Sequence, residues 1–216
     1  TIQEERIQCN FGRLDGYLIL SPEHEESVLK KELAAAHRAG LKKGELLKEP
    51  PLSQLHRPCL RFPDQAQFHP LQYLNALSKA ILKRGGQIYT QTHVAEVFDG
   101  SPARIKTASG LTVESPSIVV ATNTPINDRV TIHTKQAAYR TYVVGFLIPK
   151  GSVPPGLYWD TTDPYHYIRV HPHSESEEVL IVGGEDHKTG QADETDRQAR
   201  LIEWARGWFP TAAMPA

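Results

Sequence analysis

Ser115-Pro116-Ser117-Ile118-Val119-Val120-Ala121-Thr122-Asn123-Thr124-Pro125 is the stretch that decides the fold. Its β-branched run stops abruptly in small polar residues and a proline. A short apolar run between turn formers predicts a strand buried on both faces, Ile118 to Ala121. Small residues at its carboxyl end let a backbone or a ligand come close. In open α/β sheets, ligands sit just outside the carboxyl ends of strands. The stretch therefore points to a nucleotide-type ligand, on condition that the rest of such a sheet accompanies it.

Upstream, Phe68-His69-Pro70 opens a helix whose Leu71, Leu74, Leu77 and Ile81 recur at helical spacing, and Gly85-Gly86 stops it. Gln87 to Thr90 reads as a short strand. Val94 to Phe98, Arg104 to Thr107 and Leu111 to Glu114 read as a three-stranded meander, turned at Asp99-Gly100 and Ser109-Gly110. Nearer the amino end, residues 5–20 read as one or two strands broken near Gly12 and Gly16. Ser21 then caps a helix with Pro22 in its first position; Val28, Leu29, Leu33 and Ala36 form its apolar stripe, and Gly40 ends it. Four prolines make residues 41–66 irregular, with Cys59 to Phe62 as a short strand.

Downstream the pattern changes. Ala137 to Ile148 is a long strand closed by Pro149. Leu157 to Trp159, Tyr165 to Val170 and Val179 to Val182 follow as shorter strands, an antiparallel arrangement. A last helix runs from about Glu194 to Trp208, capped by Thr195 or Asp193 and ended by Pro210, with Ile202, Ala205 and Phe209 facing inward. The fold class is α+β: a mixed, largely antiparallel sheet with flanking helices, beside α/β-like elements at 68–125.

The 216 residues are 39% hydrophobic and 23% charged, with a net charge of −1. This suits one large or two small globular domains and offers no basic patch for nucleic acid. No apolar run is long enough to span a bilayer. Cys9 and Cys59 are far apart in sequence and read as two reduced thiols, as expected of a cytoplasmic protein, or as one disulfide. The chain opens on Thr1, runs at once into strand-like sequence and stops just after a helix, so it reads as an internal piece of a larger protein.

The helix of Pro70, Leu71, Tyr73, Leu74 and Leu77, the Gly85-Gly86 turn, Thr92-His93-Val94, the meander and Val119-Val120-Ala121-Thr122-Asn123 follow in a recognisable order. This order resembles the FAD-dependent oxidoreductases of the D-amino-acid oxidase and glycine oxidase type, which often have Gly where Asn123 stands. Tyr167-Ile168-Arg169, followed by Leu180-Ile181-Val182-Gly183-Gly184-Glu185, is similar to the hairpin of that family's substrate sheet. The segment from Tyr158-Trp159-Asp160 to Thr189-Gly190 looks closest to a bacterial subgroup that often carries a C-terminal Rieske domain. The paired Cys and His ligands of such a domain are not in this sequence.

The resemblance implies FAD as cofactor and a small-molecule amine or amino-acid substrate. It divides the chain into substrate-domain strands and helix (1–67), part of an FAD-binding domain (68–125) and the substrate-binding antiparallel sheet with its helix (126–216). The family's Gly-x-Gly-x-x-Gly loop, which holds the flavin pyrophosphate, is absent from the sequence. Gly183-Gly184 does not replace it, because Glu185 and Asp186 follow and would repel phosphate. The piece alone is expected to hold FAD weakly or not at all, and the whole protein to hold it well.

By resemblance, Ala121, Thr122 and Asn123 pass close to the cofactor; the plainer reading is a strand end with small packing residues. Val94 would lie against the adenine, or is a core valine. Tyr167 and Arg169 are two apart on a strand and share a face. A guanidinium suits a substrate carboxylate and a phenol adds a directional hydrogen bond; the alternative is a solvated arginine beside a packed tyrosine. Tyr158, Trp159, Tyr165 and Tyr167 make a local aromatic cluster, in a pocket or in the core. His166, His171, His173 and His187 lack the spacing of a metal site, and His166 and His171 fall on opposite strand faces. Glu185 to Lys188 reads as a polar turn, either solvated or on the rim of the substrate cavity. No side chain stands out as acid, base or nucleophile. The function expected is oxidation of an amine or amino-acid-like substrate by hydride transfer to FAD. The rivals are a non-catalytic binding module of the same fold and a metal-dependent hydrolase using the histidines.

Overall fold

A computed structural model describes residues 1–52, 55–123, 126, 136–190 and 196–209. The chain forms two compact units, one of Cys9–His69 with Tyr139–Ala216, the other of Thr1–Gln8 with Pro70–Ala138. The expected helix caps Asp193 and Thr195, the terminator Pro210, and Thr124-Pro125 lie outside the described residues.

The first unit is built on a seven-stranded sheet. Its strands are β1 (Gly12–Ile19), β2 (Glu45–Leu47), β3 (Cys59–Gln67), β7 (Tyr139–Pro149), β8 (Leu157–Asp160), β9 (His166–Pro172) and β10 (Glu177–Lys188). Their order is β2-β3-β1-β8-β9-β10-β7. Only β1 and β8 run parallel; every other pair is antiparallel. One register row crosses all seven strands: Leu46, Leu60, Leu18, Trp159, Tyr167, Gly183 and Val143. Directly paired residues share a face, so this row defines one side of the sheet. The neighbouring row of Tyr17, Tyr158, Ile168, Val182 and Val144 defines the other.

The two faces are covered differently. On the Tyr17 side, helix α3 (Arg197–Trp208) lays Leu201 and Ala205, followed by Phe209, on Phe146, Ile148, Ile168, Val170, Leu180 and Val182. On the Leu18 side, helix α1 (Glu26–Arg38) buries Leu29 and Ala36 against Leu60, Phe62 and Trp159. Helix α1 covers only the β2-β3-β1-β8 half. Over β9, β10 and β7, no described helix of this unit lies on that face.

Several expectations change here. Residues 5–11 are turn and irregular chain, and β1 runs unbroken from Gly12, with a bulge between Leu14 and Gly16. Ser21 does not cap α1. It closes a turn by accepting from the Glu23 N–H at 3.3 Å, and the helix starts at Glu26. Residues 41–66 are less irregular than four prolines suggest. Pro63 sits in β3 opposite the bulge, where its missing N–H breaks no ladder bond, and Asp64 takes a φ of +62°. Glu185 to Lys188 is not a turn after β10 but its last stretch.

The second unit holds α2 (Pro70–Lys83) and a separate sheet of β4 (Val94–Phe98), β5 (Ala103–Thr107) and β6 (Thr112–Ser115) in the order β4-β5-β6. Helix, turns and meander stand where expected, with Gly85 at φ +82° ending α2. Gln87 to Thr90 and Ile118 to Ala121 are not strands, and Val119 is 88% exposed. A doubly buried strand exists only where neighbours supply its ladder bonds. The meander is the one sheet among this unit's described residues, and these runs are not part of it. The stripe of α2 meets the same outcome: its spacing is helical, yet Leu71 is 71% exposed and no residue of the helix is buried.

Candidate functional site

Strand β9 alternates between the two faces. His166, Ile168 and Val170 are buried towards α3, while Tyr167, Arg169 and His171 project from the side that α1 leaves bare. The structure thus brings Tyr167 and Arg169 together on one open sheet face, as their spacing predicts, and divides His166 from His171. None of the ion pairs among the described residues involves Arg169.

Tyr167 lies flat across β10. An added Cβ at Gly183 would stand 2.1 Å from its ζ carbon, so only glycine leaves room for the ring. The phenol reaches across Gly183 towards Thr141 on β7. Burial is the main cause of a raised Tyr167 pKa, opposed by the Thr141 hydroxyl and by Arg169, so the phenol stays protonated at neutral pH. At the other end of the row, His171 meets the edge of His69, ring centres 5.7 Å apart. Burial, then Arg169 and His69, lower its pKa and keep it neutral. Gln67 completes this corner by donating to the Val170 carbonyl at 3.5 Å.

The opposite face carries a polar network that the sequence did not single out. His166 stacks on Trp204 of α3, centroids 4.3 Å apart. Its Nδ1 stands 3.0 Å from Asp160 Oδ2. Asp160 Oδ1 accepts from the His166 backbone N–H at 2.9 Å and from the Thr162 hydroxyl at 2.5 Å. Burial raises the Asp160 pKa, but these hydrogen bonds outweigh it and the net shift is downward. An ionised carboxylate only accepts, so Nδ1 carries the hydrogen. Beyond it, Glu185 Oε1 stands 3.7 Å from His166 Nε2, and Glu185 Oε2 accepts from Arg200 at 2.6 Å. Arg197 donates to the Glu185 carbonyl at 2.9 Å. The one legible signal was His166 in phase with Ile168 and Val170, a polar residue at a core position.

The four-aromatic cluster is split by the same alternation. Tyr158 stacks on Tyr17 in the core, Trp159 stacks on Phe62 beneath α1, and Tyr165 leans on Tyr167. No group of three or more His, Cys, Asp or Glu among the described residues could hold a metal ion. Cys9 and Cys59 are buried free thiols rather than a disulfide, and burial pushes Cys59 up to about 12. No described helix is long and apolar enough to cross a membrane.

The residues expected at the cofactor lie in the other unit. Val94 opens β4, half-buried and paired with Thr107. Ala121, Thr122 and Asn123 are exposed in a segment that is not the end of a buried strand. Small and accessible, Ala121, Thr122 and Asn123 leave room for a cofactor to approach. They offer nothing for the pyrophosphate, and no Gly-x-Gly-x-x-Gly occurs in the sequence.

Comparison with known proteins agrees with this architecture. The family of FAD dependent oxidoreductases known as DAO matches residues 1–215. The Bacillus subtilis (strain 168) protein YhfW, described as a Rieske 2Fe-2S iron-sulfur protein, is 29% identical over 191 residues, 88% of this chain and 37% of its own length. Glycine oxidase from Geobacillus kaustophilus superposes with a TM-score of 0.67 at 17% identity, covering 95% of this chain and 58% of that one. L-proline dehydrogenase from P. horikoshii gives 0.69 at 15% identity, covering 98% and 58%. The chain thus spans little more than half of these structures and about a third of the curated relative. With the match running over nearly its whole length, the chain belongs to the DAO family of FAD-dependent oxidoreductases.

Proposed function

We propose that the protein is a flavin-dependent oxidoreductase acting on an amine or amino-acid-like substrate, and that the open half of the seven-stranded sheet binds it. The observation that carries this reading is Arg169 beside Tyr167 on a sheet face where, among the described residues, no helix of its unit lies over it and no acidic side chain pairs with the guanidinium. Arg169 receives the substrate carboxylate through paired N–H donors. Tyr167, held flat over Gly183, donates or accepts one further hydrogen bond and excludes water from that side. The other unit contributes Val94, Ala121, Thr122 and Asn123 to the cofactor: the Val94 backbone at the adenine edge, the others close to the flavin. These assignments follow the family resemblance. The chemistry FAD supplies when bound is acceptance of a hydride from the C–H beside the substrate nitrogen. In this reading the chain's own residues bind and orient, and none needs to act as acid or base.

Two measurements test it. Purified full-length protein should have flavin absorbance or take up added FAD; failure of both overturns the oxidoreductase reading in favour of a non-catalytic module. Arg169→Ala in the FAD-loaded protein should weaken binding of a carboxylate substrate by about 2–5 kcal/mol. Unchanged KM and kcat would assign Arg169 to structure.

A further inference from the structure

Resting on the carboxylate role of Arg169, we infer that Asp186 is the counterpart that receives the substrate's amine, so that the open sheet face binds an α-amino acid as a zwitterion, carboxylate on Arg169 and nitrogen on Asp186. The topology sets Asp186 on that face. Glu185 turns to the α3 side, where Arg200 donates to its carboxylate at 2.6 Å. His187 turns to the same side and stacks on Tyr142, which packs against the core beneath α3. Asp186 lies between two residues of one face and therefore projects from the other, the face of Tyr167 and Arg169. The bulge between Gly184 and His187 sets it opposite Thr141, the residue that Tyr167 reaches over Gly183.

The carboxylate is also in an unusual state. Its Oδ1 is shielded from solvent and takes no hydrogen bond among the described residues. A shielded carboxylate oxygen without a donor is costly, and a ligand ammonium supplies both the donor and the opposite charge. Arg169 pairs with Ile181 and Tyr167 with Gly183, so the arginine and Asp186 stand on either side of the phenol along one direction of the sheet. Their separation is about 13 Å between backbones, at about 3.3 Å per residue. The arginine side chain and one amino acid fill that span. The charges run from cation to anion with a neutral phenol between, which matches a zwitterion and mismatches an amine-free acid.

The test compares two probes of the same skeleton, α-aminoisobutyrate and isobutyrate, titrated calorimetrically into the FAD-loaded protein. The amino acid has no hydrogen on its α carbon and so does not turn over. The wild type should prefer it by roughly ten- to hundredfold, as expected for a hydrogen bond between charged groups. Asp186→Asn should abolish the preference and leave isobutyrate affinity unchanged, which loss of fold alone would not do. Asp186→Ser serves as the second variant. A preference that survives both substitutions, or equal binding of both probes to the wild type, overturns the role of Asp186 and leaves that of Arg169 standing. Failure of both probes to bind overturns both roles.

Discussion

Replacing Gly183 with alanine isolates the contact that fixes Tyr167. The backbone there is not in the left-handed region, so alanine is allowed by φ and ψ, and the penalty is purely the ring. The new Cβ would stand 2.1 Å from the ζ carbon and 2.3 Å from the hydroxyl oxygen. Contact needs about 3.5 Å or more, so the phenol must retreat by well over an ångström or leave its rotamer. Either movement gives up the ring's packing over the strand, and overpacking of this kind costs about 2 kcal/mol. In a protein of this size that lowers Tm by about 4–8 °C. The decisive assay is the same substitution in a Tyr167→Ala background, followed by thermal denaturation. Without the ring the clash vanishes, and alanine in a strand should then be neutral or stabilise by up to about 1 kcal/mol. If Gly183→Ala costs as much without the ring as with it, the glycine serves the strand and not the tyrosine.

The network under α3 gives further expectations. Asp160→Asn removes the charge that His166 and Thr162 hydrogen-bond, and should cost about 1–3 kcal/mol by denaturant titration. The folded Asp160 pKa is depressed, so its contribution is full above the ordinary aspartate value, near 3.9, and is lost as pH falls through the lower folded value. Acid unfolding of the wild type should therefore steepen below about pH 4, and Asp160→Asn should flatten that limb. Both cysteines are buried and Cys59 is pushed up to about 12. A disulfide-exchange reagent at pH 8 should thus label neither thiol in the folded protein and both after unfolding; rapid labelling of Cys59 in the native state would contradict its burial.

Local punctuation was the most legible layer of the sequence. Pro70 and Gly85 bound α2, and Gly100 and Gly110, both at positive φ, turn the meander where the sequence placed those turns. Period two placed Tyr167 with Arg169 and separated His166 from His171. What failed depended on partners. Ile118 to Ala121 has the composition of a buried strand and the exposure of a surface segment, because burial belongs to the neighbours and not to the run. Ser21 is a favoured capping residue, but it answers a turn before the helix instead of the helix itself. Asp160, Glu185 and Arg197 were illegible as a set because their positions in sequence say nothing of convergence. Fold topology alone brings β8, β10 and α3 around one histidine.

The sequence His166-Tyr-Ile-Arg-Val-His171 is ambiguous by itself, since each face receives polar groups. A slip of one residue would place Tyr167, Arg169 and His171 under α3 and expose Ile168 and Val170. Three features exclude it. Asp160 awaits a histidine on the α3 side and takes both its ring and its backbone N–H. Gly183 leaves a slot for an aromatic ring on the other side, opposite position 167 and nowhere else along the pair. At Gly184, with φ +148°, any Cβ would stand 2.4 Å from the Tyr165 carbonyl oxygen, so β10 passes tightly against the start of β9 at the end of the pair away from its turn. The network and Gly184 on the covered face and Gly183 on the open one thus set the same register. The structural polar cluster is what keeps Tyr167 and Arg169 on the face proposed to bind substrate, and, on that proposal, weakening it should disturb ligand binding without touching any ligand contact.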